Sequence, residues 1–342
     1  MINPYANVEW ATANRVPAVS HEHGKAEQTV INLYDQGIRF LPMSNYYPSE
    51  PYYPGSTFFP GINYPDLIFA PNAEQHNMGG PRVNVATRLG SSCHVCSIGS
   101  MFSAGSPQGQ TPLGCAGEDW RVVYNDIISL LLYPDAGGIC INHPRWSERA
   151  LDVDDICNML TSFPDDVMGV EVYNQSCEDD TQTGWAVDIW DEVLIRGLRC
   201  WGFFAADHGG EISSAHPYPR PFYGRNILLV EDLTLYECLK AYREGRFYGQ
   251  LSNTDLAFDS IRLTGRVLAV TVASDDAVTI RVVIDGRATE YSGRTAEVIL
   301  PESVTYVRVE AHTEGDSIYS NPIMLKAGDT PRHKVPFAVM YD

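Results

Sequence analysis

Ser20-His21-Glu22-His23-Gly24 places two imidazoles one residue apart, just after the apolar run Val16-Pro17-Ala18-Val19. If that run is a β-strand, side chains alternate faces, so His21 and His23 point the same way. Two imidazoles on one rigid face can hold a divalent metal ion. Taken alone the pair is a weak signal, because a chance H-x-H on a surface is common. Four later residues follow the same rule of lying at or close to a predicted strand end: Glu74, His94, His143 and Asp207. Four histidines and two carboxylates suffice for two divalent ions with one carboxylate bridging. Two such ions clamp a phosphoryl oxygen and lower the pKa of a bridging water, which gives a hydroxide nucleophile near neutral pH. Each residue also has a plainer reading. His143-Pro144 could mark a turn, Glu74 could sit in an exposed loop, and Asp207 could cap the segment that follows.

The elements that must position these residues are visible in the hydrophobic spacing. Helices are expected over 26–36, 118–133, 152–160, 186–196 and 234–243, the last opened by the capping-box spacing Thr234-Leu235-Tyr236-Glu237 and stopped by Gly245. Strands are expected at 38–43, 66–70, 137–142, 167–173 and 198–206, with 83–100 mostly extended and carrying His94. Residues 45–65 and 102–117 are rich in Gly, Pro and polar or aromatic residues and read as loops. Strand and helix alternate to about residue 245, the pattern of a parallel sheet with crossover helices. The number of units and the long loops after strands suit an α/β barrel, whose strand ends converge on one mouth. After about residue 252 the texture changes to short alternating strands, with Asp285-Gly286 as a hairpin turn. The chain thus divides into a barrel over 1–252 and a small all-β sandwich over 253–342, to which a structural or partner-binding role is assigned.

Composition narrows the class. The chain has 342 residues, 44% hydrophobic and 20% charged, typical of a globular protein. With 24 basic against 43 acidic residues the formal charge is -19, which argues against non-specific binding to a nucleic-acid polymer or an anionic membrane. The N-terminal residues carry no leader pattern, and no apolar run approaches a membrane span. Eight cysteines between Cys93 and Cys238 form no disulfide framework and read as reduced thiols, so a cytoplasmic location is expected. Cys93-His94-Val95-Cys96 lacks a second C-x-x-C that would complete a four-ligand site. No glycine-rich phosphate loop follows any strand.

The set His21-Glu22-His23, Glu74 with His94, Ile141-Asn142-His143-Pro144 and Phe203-Phe204-Ala205-Ala206-Asp207-His208, in that order, resembles the PHP (polymerase and histidinol phosphatase) superfamily of metal-dependent phosphoesterases. The resemblance covers roughly residues 1–250. The tail closing on Tyr319-Ser320-Asn321-Pro322-Ile323 is similar to the C-terminal domain of one subgroup. The resemblance implies a distorted seven-stranded β/α barrel. It implies that His21, His23, Glu74 and Asp207 hold one metal and that Glu74, His94 and His143 hold a second, with Glu74 bridging. Glu74, Asp207 and His143 are then expected to carry catalysis. Two departures stand out. Where the family has Thr-Asp-His this chain has Ser44-Asn45-Tyr46, so the ligands of a third metal are replaced. Where the family has Asp-x-His this chain has Ala206-Asp207-His208, so either Asp207 or His208 is the retained residue; Asp207 is preferred, because losing the His matches the loss of the third site.

The expected activity is hydrolysis of a phosphoester of a small molecule, with two divalent ions of Zn, Mn or Fe type. The alternatives are a catalytically degraded metal- or ligand-binding protein, motivated by the two altered motifs, and a metallohydrolase acting on an amide or carbamate ester. Glu171, inside a strand, is read as supporting the site rather than ligating. His76, His208, His216 and Tyr46 are candidate pocket residues. Arg145, Arg220 and Arg225 are candidates for pairing with a phosphate.

Overall fold

The computed structural model describes residues 1–45, 51–75, 94–103, 119–146, 150–207, 224–251 and 255–326. Two sheets carry the candidate residues. One has five strands in the order Glu74–Gln75, Val95–Ile98, Gly138–Ile141, Val167–Asn174 and Trp201–Ala205. The other is a ten-stranded mixed sheet whose inner part runs Phe247–Leu251, Gly224–Val230, Asn14–Ala18, Phe40–Leu41 and Ile68–Phe69. The helices Trp120–Ser129, Val153–Ser162 and Val187–Ile195 cover the five-stranded sheet. Trp120, Val123, Ile127, Ile156, Leu160, Trp190 and Leu194 pack there against Val95, Ile141, Val170 and Phe204. Helix Leu235–Glu244 closes a second core with Phe40, Met168, Phe203 and Leu228.

The expected barrel is corrected in two respects. The strands are not all parallel. Gly138–Ile141, Val167–Asn174 and Trp201–Ala205 are parallel neighbours, but Glu74–Gln75 and Val95–Ile98 pair antiparallel, and Gly224–Val230 runs antiparallel to Asn14–Ala18. Among the described residues the ladders also do not close into a barrel. The physical reason is visible at the seam between Trp201–Ala205 and Gly224–Val230. There the buried Asn226 side chain takes the place of a ladder rung: Phe204 N donates to its Oδ1 at 3.0 Å and its Nδ2 donates to Phe204 O at 3.0 Å. At the other seam Asn72 Nδ2 donates to Ser20 O (3.2 Å) and Pro42 O (3.0 Å), fastening the chain just before Glu74 to the ten-stranded sheet. Buried amides satisfy backbone groups that an open edge would leave unpaired.

Beyond residue 255 a three-stranded sheet of Ala257–Thr264, Val267–Ala273 and Thr295–Ile299 packs on the outer part of the large sheet. Phe258, Ile261, Leu268, Val270 and Val272 meet Ile280, Val282, Val307, Val309 and Ile318 in one core. The hairpin at Asp285-Gly286 forms as expected, joining Thr279–Ile284 to Arg287–Ser292 with both turn residues at positive φ (46° and 77°). The large sheet takes strands from both sides of the expected boundary, because Phe247–Leu251 pairs with Ser317–Ser320. A buried ion-pair network adds a second tie. Arg308 on the strand Tyr306–His312 bonds Asp191 of helix Val187–Ile195 through Nε (2.7 Å) and Nη2 (2.8 Å), and also bonds Glu310. The six described cysteines are free thiols, and no helix of the described residues is long and apolar enough to cross a membrane.

Candidate metal centre

The six donor candidates come from five separate segments and meet at one end of the two sheets. His21 and His23 lie just beyond the strand Asn14–Ala18, and Glu74 opens its own short strand. His143 follows Gly138–Ile141 and Asp207 follows Trp201–Ala205. His94 precedes Val95–Ile98, yet it reaches the same end. Its strand is antiparallel to Gly138–Ile141, so the start of one lies beside the finish of the other, and Asn142 N donates to His94 O at 2.9 Å. Asp207 sits in the left-handed region at φ 52°, with its N–H donating to His21 O at 3.1 Å. Asp tolerates that conformation better than most residues because its short side chain bonds locally.

Two donor groups result. His21, His23, Glu74 and Asp207 could hold one ion, and Glu74, His94 and His143 another, with the two Glu74 oxygens divided between them. In the first group Nε2 of His21 lies 3.1 Å from Nε2 of His23, Oε2 of Glu74 and Oδ1 of Asp207, and Nε2 of His23 lies 3.2 Å from the same two oxygens. Bonds of ~2.0 Å to a tetrahedral ion would place donors roughly 3.3 Å apart. The measured separations are therefore those of a shell around one small cation. Oε2 of Glu74 is buried and, despite the two nearby imidazole nitrogens, receives no aligned hydrogen bond among the described residues. In the second group Oε1 of Glu74 lies 3.0 Å from Nδ1 of His94 and 3.1 Å from Nε2 of His143.

The charge balance points the same way. Burial opposes ionisation of His21, but Asp207 and the carboxylates of Glu74 and Glu171 outweigh it and hold the imidazole well above its usual pKa. Burial likewise opposes charge on His23 and His143, and the carboxylates beside them raise both. Burial would raise Glu74 and Asp207, yet His21 and its neighbours pull Glu74 well below the carboxylate range and Asp207 down to about 2. Ionised carboxylates packed this deeply demand positive charge. Protonated His21 and His23 would supply it only at the cost of repelling each other, whereas a divalent cation supplies it without that conflict. The residues present fit a metal ion.

The chain is similar to a crystal structure described as a two-domain protein containing a predicted PHP-like metal-dependent phosphoesterase from Bacteroides vulgatus. The two share 11% identity and a TM-score of 0.44, over 92% of this chain and 95% of that one. No family model and no curated protein matches this chain.

Around the donors runs a layer of positioning groups. Glu171 is fully buried and accepts three hydrogen bonds, two of them from the donor candidates His21 and His143. Its Oε1 accepts from Nδ1 of His21 at 2.8 Å; its Oε2 accepts from the backbone N–H of His143 at 2.7 Å and from Asn174 Nδ2 at 2.9 Å. Fixing the proton on Nδ1 turns the Nε2 lone pair of His21 toward the donor group. Asn174 Nδ2 also donates to Oδ2 of Asp207 (3.0 Å), and Asn142 Nδ2 donates to Oε1 of Glu74 (3.1 Å). Sequence reasoning passed over Asn142 and Asn174. Their one signal was a polar amide at the end of an otherwise apolar strand.

Ser44 and Asn45 form a clasp beside the first donor group. Ser44 Oγ accepts from Glu22 N at 2.8 Å and donates to Glu22 O at 2.9 Å. Asn45 Oδ1 accepts from Gly24 N at 2.8 Å and its Nδ2 donates to Gly24 O at 2.7 Å. The two side chains grip the backbone on either side of His23. Arg145 does not join the donor cluster: its guanidinium pairs with Asp188 near the surface. Arg225 is spent on Gln250 Oε1 (2.7 Å) and Gln36 O (3.1 Å). Tyr46, His76, His208, His216 and Arg220 lie outside the described residues.

Proposed function

We propose that the chain is a metal-dependent phosphoesterase that hydrolyses a small phosphorylated compound in the cytoplasm. One observation carries this reading: six side chains from five segments form two donor groups that share Glu74. In it His21, His23, Glu74 and Asp207 hold one divalent ion of Zn, Mn or Fe type, and Glu74, His94 and His143 hold the other. When bound, such a pair supplies Lewis-acid charge to a phosphoryl oxygen and activates water for in-line attack.

The chain's own residues prepare for that chemistry. Glu74 spans the two groups and fixes their separation. Glu171 orients His21 through the ring and His143 through the backbone. Asn174 and Asn142 hold Asp207 and Glu74 by donating to one oxygen of each. The depressed pKa of Asp207 keeps its carboxylate ionised and able to bind a cation near neutral pH. Burial of His21 and Glu74 keeps bulk water from screening these charges. We place the boundary between the metal-binding part and the C-terminal sandwich near residue 252.

The manganese- or zinc-loaded chain is expected to hydrolyse 4-nitrophenyl phosphate, followed by release of 4-nitrophenolate. A fully metallated, folded chain that leaves this ester and a broad panel of other phosphoesters intact would remove the activity from the reading.

A further inference from the structure

The donor cluster is sealed unevenly. The Glu74 carboxylate is wholly buried and the His143 side chain 3% exposed, while that of His94 is 13% exposed. The second donor group is thus open on the His94 side. Trp146 stands on that side. Its ring centroid lies 5.2 Å from those of both His94 and His143, at interplanar angles of 50° and 67°. Its backbone is pinned, because Trp146 N donates to His143 O at 2.9 Å. Despite these contacts the residue is 39% exposed.

A tryptophan left that far in water, on a fixed backbone beside a donor cluster, is not explained by core packing. Its indole offers a flat, polarisable face that stacks on another ring, and such pairs add to affinity beyond their buried area. A substrate whose phosphoryl group met an ion held by Glu74, His94 and His143 would project its organic portion toward the open side. That portion meets the indole. Arg145, next to Trp146 in sequence, is already paired with Asp188, so among the described residues the wall at this point is aromatic rather than cationic.

We propose that Trp146 is a specificity residue that stacks on a planar, aromatic portion of the ester and so favours aryl or heteroaryl phosphoesters over alkyl ones. The proposal rests on the phosphoesterase reading and adds the substrate class to it.

The test is equilibrium binding by calorimetry of phenylphosphonate and methylphosphonate to the manganese-loaded full chain. Neither probe can be hydrolysed at the phosphorus–carbon bond, so the readout is independent of turnover. Wild type is expected to bind phenylphosphonate about tenfold more tightly than methylphosphonate. Trp146→Leu is expected to abolish that preference while leaving methylphosphonate affinity unchanged, and Trp146→Phe to keep most of it. Trp146→Met repeats the comparison if the Leu variant does not fold. A wild type without a phenyl preference overturns the proposal. So does a preference that survives loss of the aromatic ring, or an equal loss of both probes in the Leu variant, which would mean that Trp146 only props the histidines. In these three cases phosphonate binding still stands in wild type. Failure of wild type to bind either probe refutes the phosphoesterase reading itself, and the inference with it.

Discussion

Replacing Glu171 by Gln is the sharpest local perturbation the site offers. The change preserves shape and removes one charge. As a carboxylate, Glu171 accepts from three donors: Nδ1 of His21 on one oxygen, and His143 N–H with Asn174 Nδ2 on the other. An amide has one oxygen, so both of its orientations fail. If the oxygen serves His143 and Asn174, the amide N–H₂ faces Nδ1 of His21. That forces the ring proton to Nε2, where the lone pair is needed for a metal. If the oxygen serves His21, the N–H₂ collides with two buried donors. Loss of a charge-assisted bond costs about 1.5–3 kcal/mol, and disrupting the partner of a ligating histidine lowers metal affinity about 10- to 100-fold. The assay is competition for zinc against a chelator of known affinity, run beside a denaturant melt of the metal-free protein. A folded Glu171→Gln variant with unchanged zinc affinity would refute the claim that Glu171 sets the tautomer of His21.

Two further outcomes follow from buried polar groups. Asn45→Ala strips both hydrogen bonds from Gly24 and leaves its N–H and C=O buried without partners, so a loss of about 3 kcal/mol is expected in denaturant unfolding; a change under about 0.5 kcal/mol would show that the clasp does not hold the His23 segment. Glu310 is opposed by burial but is drawn down to about 2 by His312 and Arg308. Its folded pKa lies below its unfolded value, so its contribution is complete above about pH 4.5 and disappears as pH falls toward 2. Over that window wild type should lose about 3 kcal/mol more than Glu310→Gln in acid titrations of unfolding free energy, and parallel curves would contradict the assignment.

The grouping of His21, His23, Glu74, His94, His143 and Asp207 could be expected from sequence because metal chemistry admits few residue types and their motifs, in order, resemble those of a known family; the structure brings these six side chains together. Five helices were legible from apolar spacing and caps, whereas Gly55–Phe58, inside the expected loop 45–65, and Gln175–Thr181 were not. Thr234 does accept from Glu237 N (3.2 Å), and Gly245 does end its helix at φ 76°. Strand direction was not legible, since alternation of strand and helix is compatible with antiparallel neighbours at either end of a sheet. His94 shows the consequence, reaching the site from the start of its strand. The seams were also invisible. Asn226 and Asn72 replace ladder bonds by side-chain amides, and an isolated Asn carries no periodicity that would reveal this. The role of Glu171 as a support was readable from its place inside a strand, where a buried carboxylate needs donors. Its three partners came only with the fold.

The central claim is that two ions share Glu74, and metal stoichiometry tests it most directly. Elemental analysis of the purified chain after equilibration with zinc or manganese should give two ions per chain. His143→Ala, which removes a donor from the second group and leaves the first intact, should give one. Two ions in wild type and two in a folded His143→Ala variant would remove His143 from the site, and wild type that binds none at saturating metal would contradict the account as a whole.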